Sequence, residues 1–258
     1  LGRELSTEEF QEKYYDGPDT YASGTSIFDP VLCELAYRWF APSGGTIIDP
    51  FAGGSVRGIV ASLLGYEYTG LDLRSEQVEA NRVQADEICQ DKKPCWHVGD
   101  SVNIQEVAME QYDFIFSCPP YGDLEIYSED PADLSNMDFD DFIVAYKAII
   151  KNTVALLKDN RFACFVVGDF RDKKGFYRNF PAITIEAFHN AGMTLYNEAI
   201  LVTAVGSLSI RVGRQFQSGR KLGKTHQNVL VFYKGDPKKI KETYGEVEIS
   251  DTFTEEGQ

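Results

Sequence analysis

The sequence predicts an α/β chain of the doubly wound, Rossmann-like type, with a mostly parallel seven-stranded sheet that ends in an antiparallel hairpin. Three observations predict it. Short apolar runs alternate with amphipathic helical stretches between residues 46 and 192. The first run, Thr46-Ile47-Ile48, passes through a glycine-containing turn directly into a helix. The last two apolar runs, 195–205 and 228–233, have no helical stretch between them, so they read as antiparallel neighbours joined by a long loop. At 258 residues the chain is long enough for one large α/β domain, or two small ones, with a real core.

The elements follow in order. Residues 1–24 are polar, broken by Gly17-Pro18 and Gly24, and read as an N-terminal arm. Asp29 suits a helix N-cap and Pro30 the first helical position. Leu32, Leu35, Ala36 and Trp39 or Phe40 form that helix's apolar stripe, and Pro42 with Gly44-Gly45 ends it. The first strand runs into Asp49-Pro50-Phe51-Ala52-Gly53-Gly54-Ser55. A helix through Val56, Ile59, Val60, Leu63 and Leu64 follows, closed by Gly65. Tyr66 to Leu71 is the second strand and ends at Asp72. Ser75 is expected to cap the next helix, which reaches about Cys89. Trp96-His97-Val98 is the third strand, ending in Gly99-Asp100-Ser101. Tyr112 to Phe116 is the fourth, ending at Ser117. A helix from Asp138 to Leu157 carries Phe142, Ala145, Ile149 and Leu156 on one face. Arg161 to Val167 is the fifth strand, and a helix from Pro181 to Gly192 follows. One domain is expected over 25–234, with 235–258 a charged, mobile tail.

Composition narrows the setting. The hydrophobic fraction of 43% and charged fraction of 25% are those of an ordinary globular domain. No apolar run is long enough to cross a membrane, and Leu1-Gly2-Arg3-Glu4 does not open a signal peptide. The chain does not start with methionine, as expected of a piece of something longer. Its five cysteines are scattered, with no Cys-x-x-Cys pair, and its three histidines give no zinc spacing, so no metal is expected. Free thiols fit a reducing cytoplasm. A net charge of −15 argues against non-specific coating of nucleic acid, but it is unevenly spread. From Asp123 to Asp141 there are eight acids and no base, whereas from Val205 to Asn228 there are five Lys or Arg and no acid.

The chemistry is concentrated at two strand ends. In Ser117-Cys118-Pro119-Pro120-Tyr121, two prolines cannot continue a central strand, because neither has an N–H for the ladder. The chain leaves the carboxyl edge of the sheet as a stiff extended hook, in the region where open α/β sheets bind ligands. The strand–turn–helix at Asp49 to Ser55 puts backbone N–H groups and a positive helix end beside a ligand. It lacks both the Gly-Lys-Ser/Thr of a P-loop and Gly-x-Gly-x-x-Gly, so a ligand without a pyrophosphate is favoured. Asp72, at the tip of the second strand, suits hydrogen bonds from ribose hydroxyls. Asp72 and Asp100 also suit helix caps, and Phe51 suits core.

These residues carry a resemblance. Asp49-Pro50-Phe51-Ala52-Gly53-Gly54-Ser55 resembles the cofactor motif of DNA amino-methyltransferases, and Cys118-Pro119-Pro120-Tyr121 resembles their catalytic tetrad. Together they stand at the ends of strands one and four, and the match runs from about Thr25 to Tyr233. The pairing of Gly-Thr-Ser-Ile-Phe-Asp-Pro at 24–30 with Arg-Lys-Leu-Gly-Lys-Thr-His-Gln at 220–227 is also similar to phage-encoded modification methylases, which implies the cytoplasm of a bacterium or a phage-infected host. The resemblance implies the methyltransferase version of the fold and S-adenosylmethionine as cofactor. It implies a DNA substrate whose target base is flipped out and methylated at cytosine N4 or adenine N6. It implies a cofactor site of Phe28, Asp29, Pro30, Asp49, Pro50, Phe51, Ala52, Gly53, Asp72, Asp100 and Ser101. Asp72 would hold the ribose and Asp100 the adenine.

An exocyclic amino nitrogen is a poor nucleophile because its lone pair is conjugated into the ring. Acceptors at residue 118 and at the Pro119 carbonyl would draw it towards tetrahedral geometry, with Ser117 sharing the role, and Tyr121 would stack on the base. This chain departs from the pattern at Cys118, where the family has Asp, Asn or Ser. A thiol is a weak acceptor. Its shape is nearest serine, which favours cytosine N4. A thiol also admits attack on cytosine C6, but those enzymes carry the cysteine after a proline, not before two. Arg211, Arg214, Arg220, Lys221, Lys224 and His226 form a basic loop suited to phosphates. No large recognition domain is evident, so specificity falls to the 123–137 or 205–228 loops, a homodimer partner or a separate region. RNA or a protein glutamine as substrate, and an inactive cofactor-binding module, are the competing readings.

Overall fold

The computed structural model describes residues 28–108, 110–122, 128, 130–203 and 208–245, and no side chain of 208–211. The arm expected over 1–24 and most of the expected tail lie outside the described residues. The elements are α1 (Pro30–Phe40), β1 (Thr46–Asp49), α2 (Val56–Leu63), β2 (Glu67–Asp72), α3 (Ser75–Ile88), β3 (Cys95–Val98), α4 (Ile104–Val107), β4 (Tyr112–Ser117), α5 (Phe139–Ala155), β5 (Leu157–Val167), α6 (Phe180–Asn190), β6 (Thr194–Val202), α7 (Leu208–Gly219), β7 (His226–Lys234) and α8 (Ile240–Tyr244).

The seven strands form one sheet in the order β3-β2-β1-β4-β5-β7-β6. β1 pairs in parallel with both β2 and β4, and β7 runs antiparallel between β5 and β6. This is the doubly wound sheet with a C-terminal antiparallel pair that the sequence predicts. The strand order reverses between β1 and β4. That reversal is the topological switch point, where the two connections diverge and leave a crevice beyond the carboxyl ends.

Alternation along the strands builds two cores. Ile47, Phe114, Phe116, Phe162, Cys164 and Val166 face α1, α2 and α3 through Tyr37, Ile59 and Val78. Ile48, Ile115, Ala163, Phe165 and Val167 face α5 and α6 through Phe142, Tyr146, Ile149 and Phe188. Every residue of β4 is buried, which is why its sequence is a continuous apolar run broken only by Asp113. No described helix is long and apolar enough to cross a membrane.

Three expectations are corrected. The long loop between β6 and β7 contains α7. Its Leu208, Val212 and Phe216 recur at helical spacing, but Gly213 and the surrounding cations mask the pattern. The chain beyond Lys234 is folded as far as Gly245: Asp236 caps a short turn through Lys238 N–H, and the Tyr244 ring lies 5.1 Å from Phe162. Ser75 is the first residue of α3 and makes no cap bond; the Asp72 carboxylate accepts from Arg74 N–H instead. Asp29 does cap α1, accepting from the N–H groups of Val31 and Leu32.

At the amino edge of the sheet, away from the crevice, Asp113 ties three strands together. It accepts from Thr46 N–H at 3.2 Å and pairs with Lys158 and Arg161, each at 2.9 Å. Burial alone would raise its carboxyl, but the hydrogen bonds from Lys158 and Arg161 outweigh that and hold it at about 2. A carboxyl below its unfolded value of about 3.9 stabilises the fold above that pH and loses the contribution as pH falls through the folded value. Asp113→Ala should therefore lower Tm at neutral pH. The gap to wild type should close between about pH 4 and pH 2; a gap that stays constant in an acid melting series contradicts this.

Candidate active site

The crevice is built on one buried charge. Asp49 closes β1 and is fully buried. Its Oδ2 accepts from Arg57 Nε at 2.6 Å and from Tyr68 Oη at 2.7 Å. Its Oδ1 accepts from Ser117 Oγ at 2.5 Å and from Phe51 N–H at 3.1 Å. Arg57, on the first turn of α2, also donates to the carbonyls of Phe51 and Ala52. Phe28 covers the guanidinium, 4.7 Å from its ring centre. Burial would pull protons off Arg57, but the Asp49 carboxylate beside it reverses that and keeps it charged. The ion pair therefore locks the β1 turn to α2, β2 and β4 at once.

That lock reassigns several expected site residues. Asp49 and Ser117 have their polar atoms engaged with each other, so Ser117, expected to share the acceptor role, is instead part of the scaffold. Ser117 Oγ also accepts from Phe51 N–H at 3.2 Å, stitching the β1 turn to the β4 hook. Asp29 and Pro30 are exposed and start α1. Of that trio only Phe28 reaches the crevice floor, through Arg57 and Phe116.

The remaining cofactor candidates line up along the carboxyl ends of β1, β2 and β3. Gly53 has φ +49, which a side chain rarely adopts. Its N–H donates to Asp72 Oδ2 at 3.0 Å and its carbonyl accepts from Asn81 Nδ2 at 2.7 Å. Asp72 Oδ1 accepts from Arg74 N–H, and burial raises the Asp72 carboxyl. Asp100 caps the following turn through Val102 N–H, and Ser101 Oγ donates to the Pro50 carbonyl. Phe51 packs towards Tyr146 and Phe165 at the edge of the second core. The sequence left open whether Asp72 and Asp100 are caps; Asp100 caps the turn that follows it, whereas Asp72 accepts from Arg74 N–H ahead of α3 and from Gly53 N–H and caps no helix. A Cβ on Gly54 or on Gly99 would meet no atom within 4 Å. Gly54 and Gly99 thus leave open backbone beyond the ends of β1 and β3, near Asp72 and Asp100, a cradle of glycine and carboxylate in the region where open α/β sheets take ligands.

The hook stands next to this cradle. Pro119 is buried, while Cys118, Pro120 and Tyr121 are half-buried. Burial pushes the Cys118 thiol up, against the pull of Arg57, so the group is a neutral thiol and not a thiolate. Attack on a base carbon needs the thiolate, and burial here disfavours it. Tyr121 is held on three sides. Gln227 Nε2 donates to its hydroxyl at 2.6 Å, and the rings of Phe170 and Phe180 lie 6.2 and 6.1 Å away. Cys118 Sγ and Tyr121 Oη are 3.9 Å apart.

Sequence reasoning missed Arg57, Tyr68 and Gln227. Arg57 left one trace: a charge on the second residue of an apolar helix, too short a signal to name its partner. Gln227 left none, because its neighbour Tyr121 is 106 residues away. Of the basic loop, Arg214 and Arg220 are exposed on and after α7, and Lys224 Nζ donates to the Asp169 carbonyl. His226 opens β7 beside Val202. The Arg211 side chain and residues 123–127 lie outside what is described. Among the described residues no cluster could hold a metal ion.

Comparison with known proteins agrees at the level of the fold. No protein-family model and no curated protein matches the chain. Among solved structures it resembles TrmN from Thermus thermophilus, with TM-score 0.54 and 16% identity over 83% of this chain and 51% of that one. It therefore spans about half the length of that relative. It also resembles a putative rRNA-methylase from Clostridium thermocellum, with TM-score 0.52 and 9% identity over 81% of this chain and all of that one. A third is magnesium protoporphyrin IX methyltransferase ChlM from Synechocystis PCC 6803, with TM-score 0.51 and 11% identity over 91% of this chain and 100% of that one. The chain has the Rossmann-like fold of S-adenosylmethionine-dependent methyltransferases.

The Asp49–Arg57 lock gives a stability prediction. Arg57→Leu leaves a buried carboxylate without its cation and should cost roughly 3–5 kcal/mol. Tyr68→Phe removes one hydrogen bond to that carboxylate and should cost about 1.5–3 kcal/mol. Urea unfolding monitored by tryptophan fluorescence measures both. An Arg57→Leu variant as stable as wild type removes the lock from the account.

Proposed function

We propose that the chain is a site-specific DNA methyltransferase that moves a methyl group from S-adenosylmethionine to an exocyclic amino nitrogen of a base. Cytosine N4 is favoured over adenine N6. The observation that carries this is the stitch between the β1 turn and the β4 hook, Ser117 Oγ to Phe51 N–H at 3.2 Å, at the switch point of the sheet. It brings together the two stretches that resemble the cofactor and catalytic motifs of DNA amino-methyltransferases.

Gly53, Gly54, Asp72, Gly99 and Asp100 would hold the cofactor, which supplies an electrophilic methyl group when bound. The chain's own task is to make the amino nitrogen nucleophilic. The Pro119 carbonyl and the Cys118 sulfur accept its hydrogens, and the paired prolines fix the direction of that carbonyl before the base arrives. Tyr121, braced by Gln227, Phe170 and Phe180, offers its ring as the stacking surface. A base reaches this crevice only after leaving its duplex. A neutral Cys118 accepts a hydrogen bond weakly, so the carbonyl bears the larger share.

Incubation with isotope-labelled cofactor and DNA, RNA or protein, followed by digestion and mass analysis, tests the proposal. N4-methylcytosine or N6-methyladenine in DNA is expected. Label in RNA or protein alone overturns it, and cofactor binding without transfer points to an inactive module. Tyr121→Ala and Pro119→Ala should each lower kcat by about a hundredfold or more while cofactor affinity is kept. Cys118→Ser should keep transfer to the amino nitrogen, whereas an addition mechanism through sulfur would be abolished by the same change.

A further inference from the structure

Beyond β5 the chain does not go straight into α6. Residues 169–178, Asp-Phe-Arg-Asp-Lys-Lys-Gly-Phe-Tyr-Arg, first make a short hairpin. Arg171 and Tyr177 pair antiparallel, Asp172 N–H donates to the Phe176 carbonyl at 2.8 Å, and Arg178 N–H donates to Phe170 at 2.9 Å. Gly175 takes φ +95 at the turn, the left-handed conformation that a three-residue hairpin loop needs. The Asp172 carboxylate accepts from Phe176 N–H, and the Arg171 guanidinium stacks 3.8 Å over Tyr177. The turn is therefore built as a fixed shape.

Its base and its tip face different surroundings. At the base, Phe170 and Phe180 flank Tyr121, and the Asp169 carboxylate clamps them by accepting from both of their N–H groups. At the tip, Phe176 is 71% exposed, and Lys173 and Lys174 are exposed beside it. A large aromatic ring held out in water adds nothing to the core. One side of the hairpin walls a cavity of about 620 Å³ that residues 135–139 close from the other side. Arg178 lies in that wall, 4.0 Å over the Phe139 ring, and its buried Nε meets no acceptor among the described residues. Lys221 adds a further cation, with Nζ 2.9 Å from where a Cβ on Gly175 would be. Asp138 and Asp172 also line the cavity, but each carboxylate already accepts backbone N–H groups of its own turn.

We propose that this hairpin grips the nucleic-acid strand next to the target base. Lys173, Lys174 and Arg178 hold its phosphates, and Phe176 stacks on a base adjoining the one presented to Tyr121. The inference rests on the nucleic-acid reading above and assigns to it residues outside the basic loop. Removing one base from a stack uncovers its neighbours, and an exposed aromatic ring beside cations is the chemistry that covers them. Because the hairpin's two ends pack on Tyr121, a strand held at the tip is held in register with the hook.

Anisotropy titrations of fluorescent single-stranded and duplex DNA and RNA oligonucleotides, over a series of salt concentrations, test this. They are run on wild type, Phe176→Ala, Phe176→Trp and the double variant Lys173→Ala/Lys174→Ala, with S-adenosylhomocysteine affinity measured alongside. Phe176→Ala should weaken binding about tenfold, and Phe176→Trp should restore it. The double variant should flatten the slope of log affinity against log salt by about 1.4 on single strands and about 1.8 on duplex. S-adenosylhomocysteine affinity should not change in any variant. If wild type binds and methylates nucleic acid but the variants bind it equally well with the same slope, the hairpin assignment is overturned and the substrate class stands. If wild type neither binds nor methylates any of the oligonucleotides, both are overturned.

Discussion

The site depends on one constraint: a carboxylate buried at the end of β1 must be neutralised. Asp49 has no water to solvate it, so each of its oxygens must find donors from the protein. It finds them on four different elements: Arg57 on α2, Tyr68 on β2, Ser117 on β4 and the Phe51 N–H of its own turn. Satisfying one charge thus fixes the mutual positions of the β1 turn and the β4 hook. A looser pair of elements could form the same sheet without bringing these two strand ends into hydrogen-bond contact.

What the sequence revealed and what it hid follow from the range of the interactions. Strands, helices and the two motif turns were legible because they are written in local periodicity and in proline and glycine placement. Asp29 as a cap needed only its neighbours two and three residues on. Gln227 bracing Tyr121, and Arg57 neutralising Asp49 while sitting under Phe28, are products of packing, and no spacing rule encodes them. The α7 helix was hidden for a different reason. Gly213 lowers helix propensity in the middle of a segment whose cations already suggested a loop. Asp72 and Asp100 show the reverse problem: their positions at strand ends suit either a ligand or local backbone, and in the structure both accept backbone N–H groups.

The hook poses a chemical question that the geometry answers in part. The motif that the hook resembles has Asp, Asn or Ser at the first tetrad position, while this chain has a thiol that burial keeps neutral. The Pro119 carbonyl is then the acceptor whose strength does not depend on the side chain at 118. The bracing of Tyr121 by Gln227, Phe170 and Phe180 fits the same logic, since a weak acceptor is useful only if the base is held without play.

The acidic balance of the chain need not oppose a polyanionic substrate. Many of its aspartates turn out to be structural acceptors of backbone N–H groups: Asp29, Asp72, Asp100, Asp133, Asp138, Asp172 and Asp236 each receive one or more. Their charge is partly offset by the amide dipoles and helix ends they cap. The cations are placed differently. Lys173, Lys174 and Arg178 stand together on the hairpin, with Lys221 against it. At physiological salt, fields are screened over roughly 8 Å, so on the proposed reading a strand meets the local balance of these cations against Asp138 and Asp172, and not the sum of −15. On the same reading, acid elsewhere on the surface weakens non-specific adhesion without deciding what the hairpin binds, which is the combination a site-selective enzyme needs.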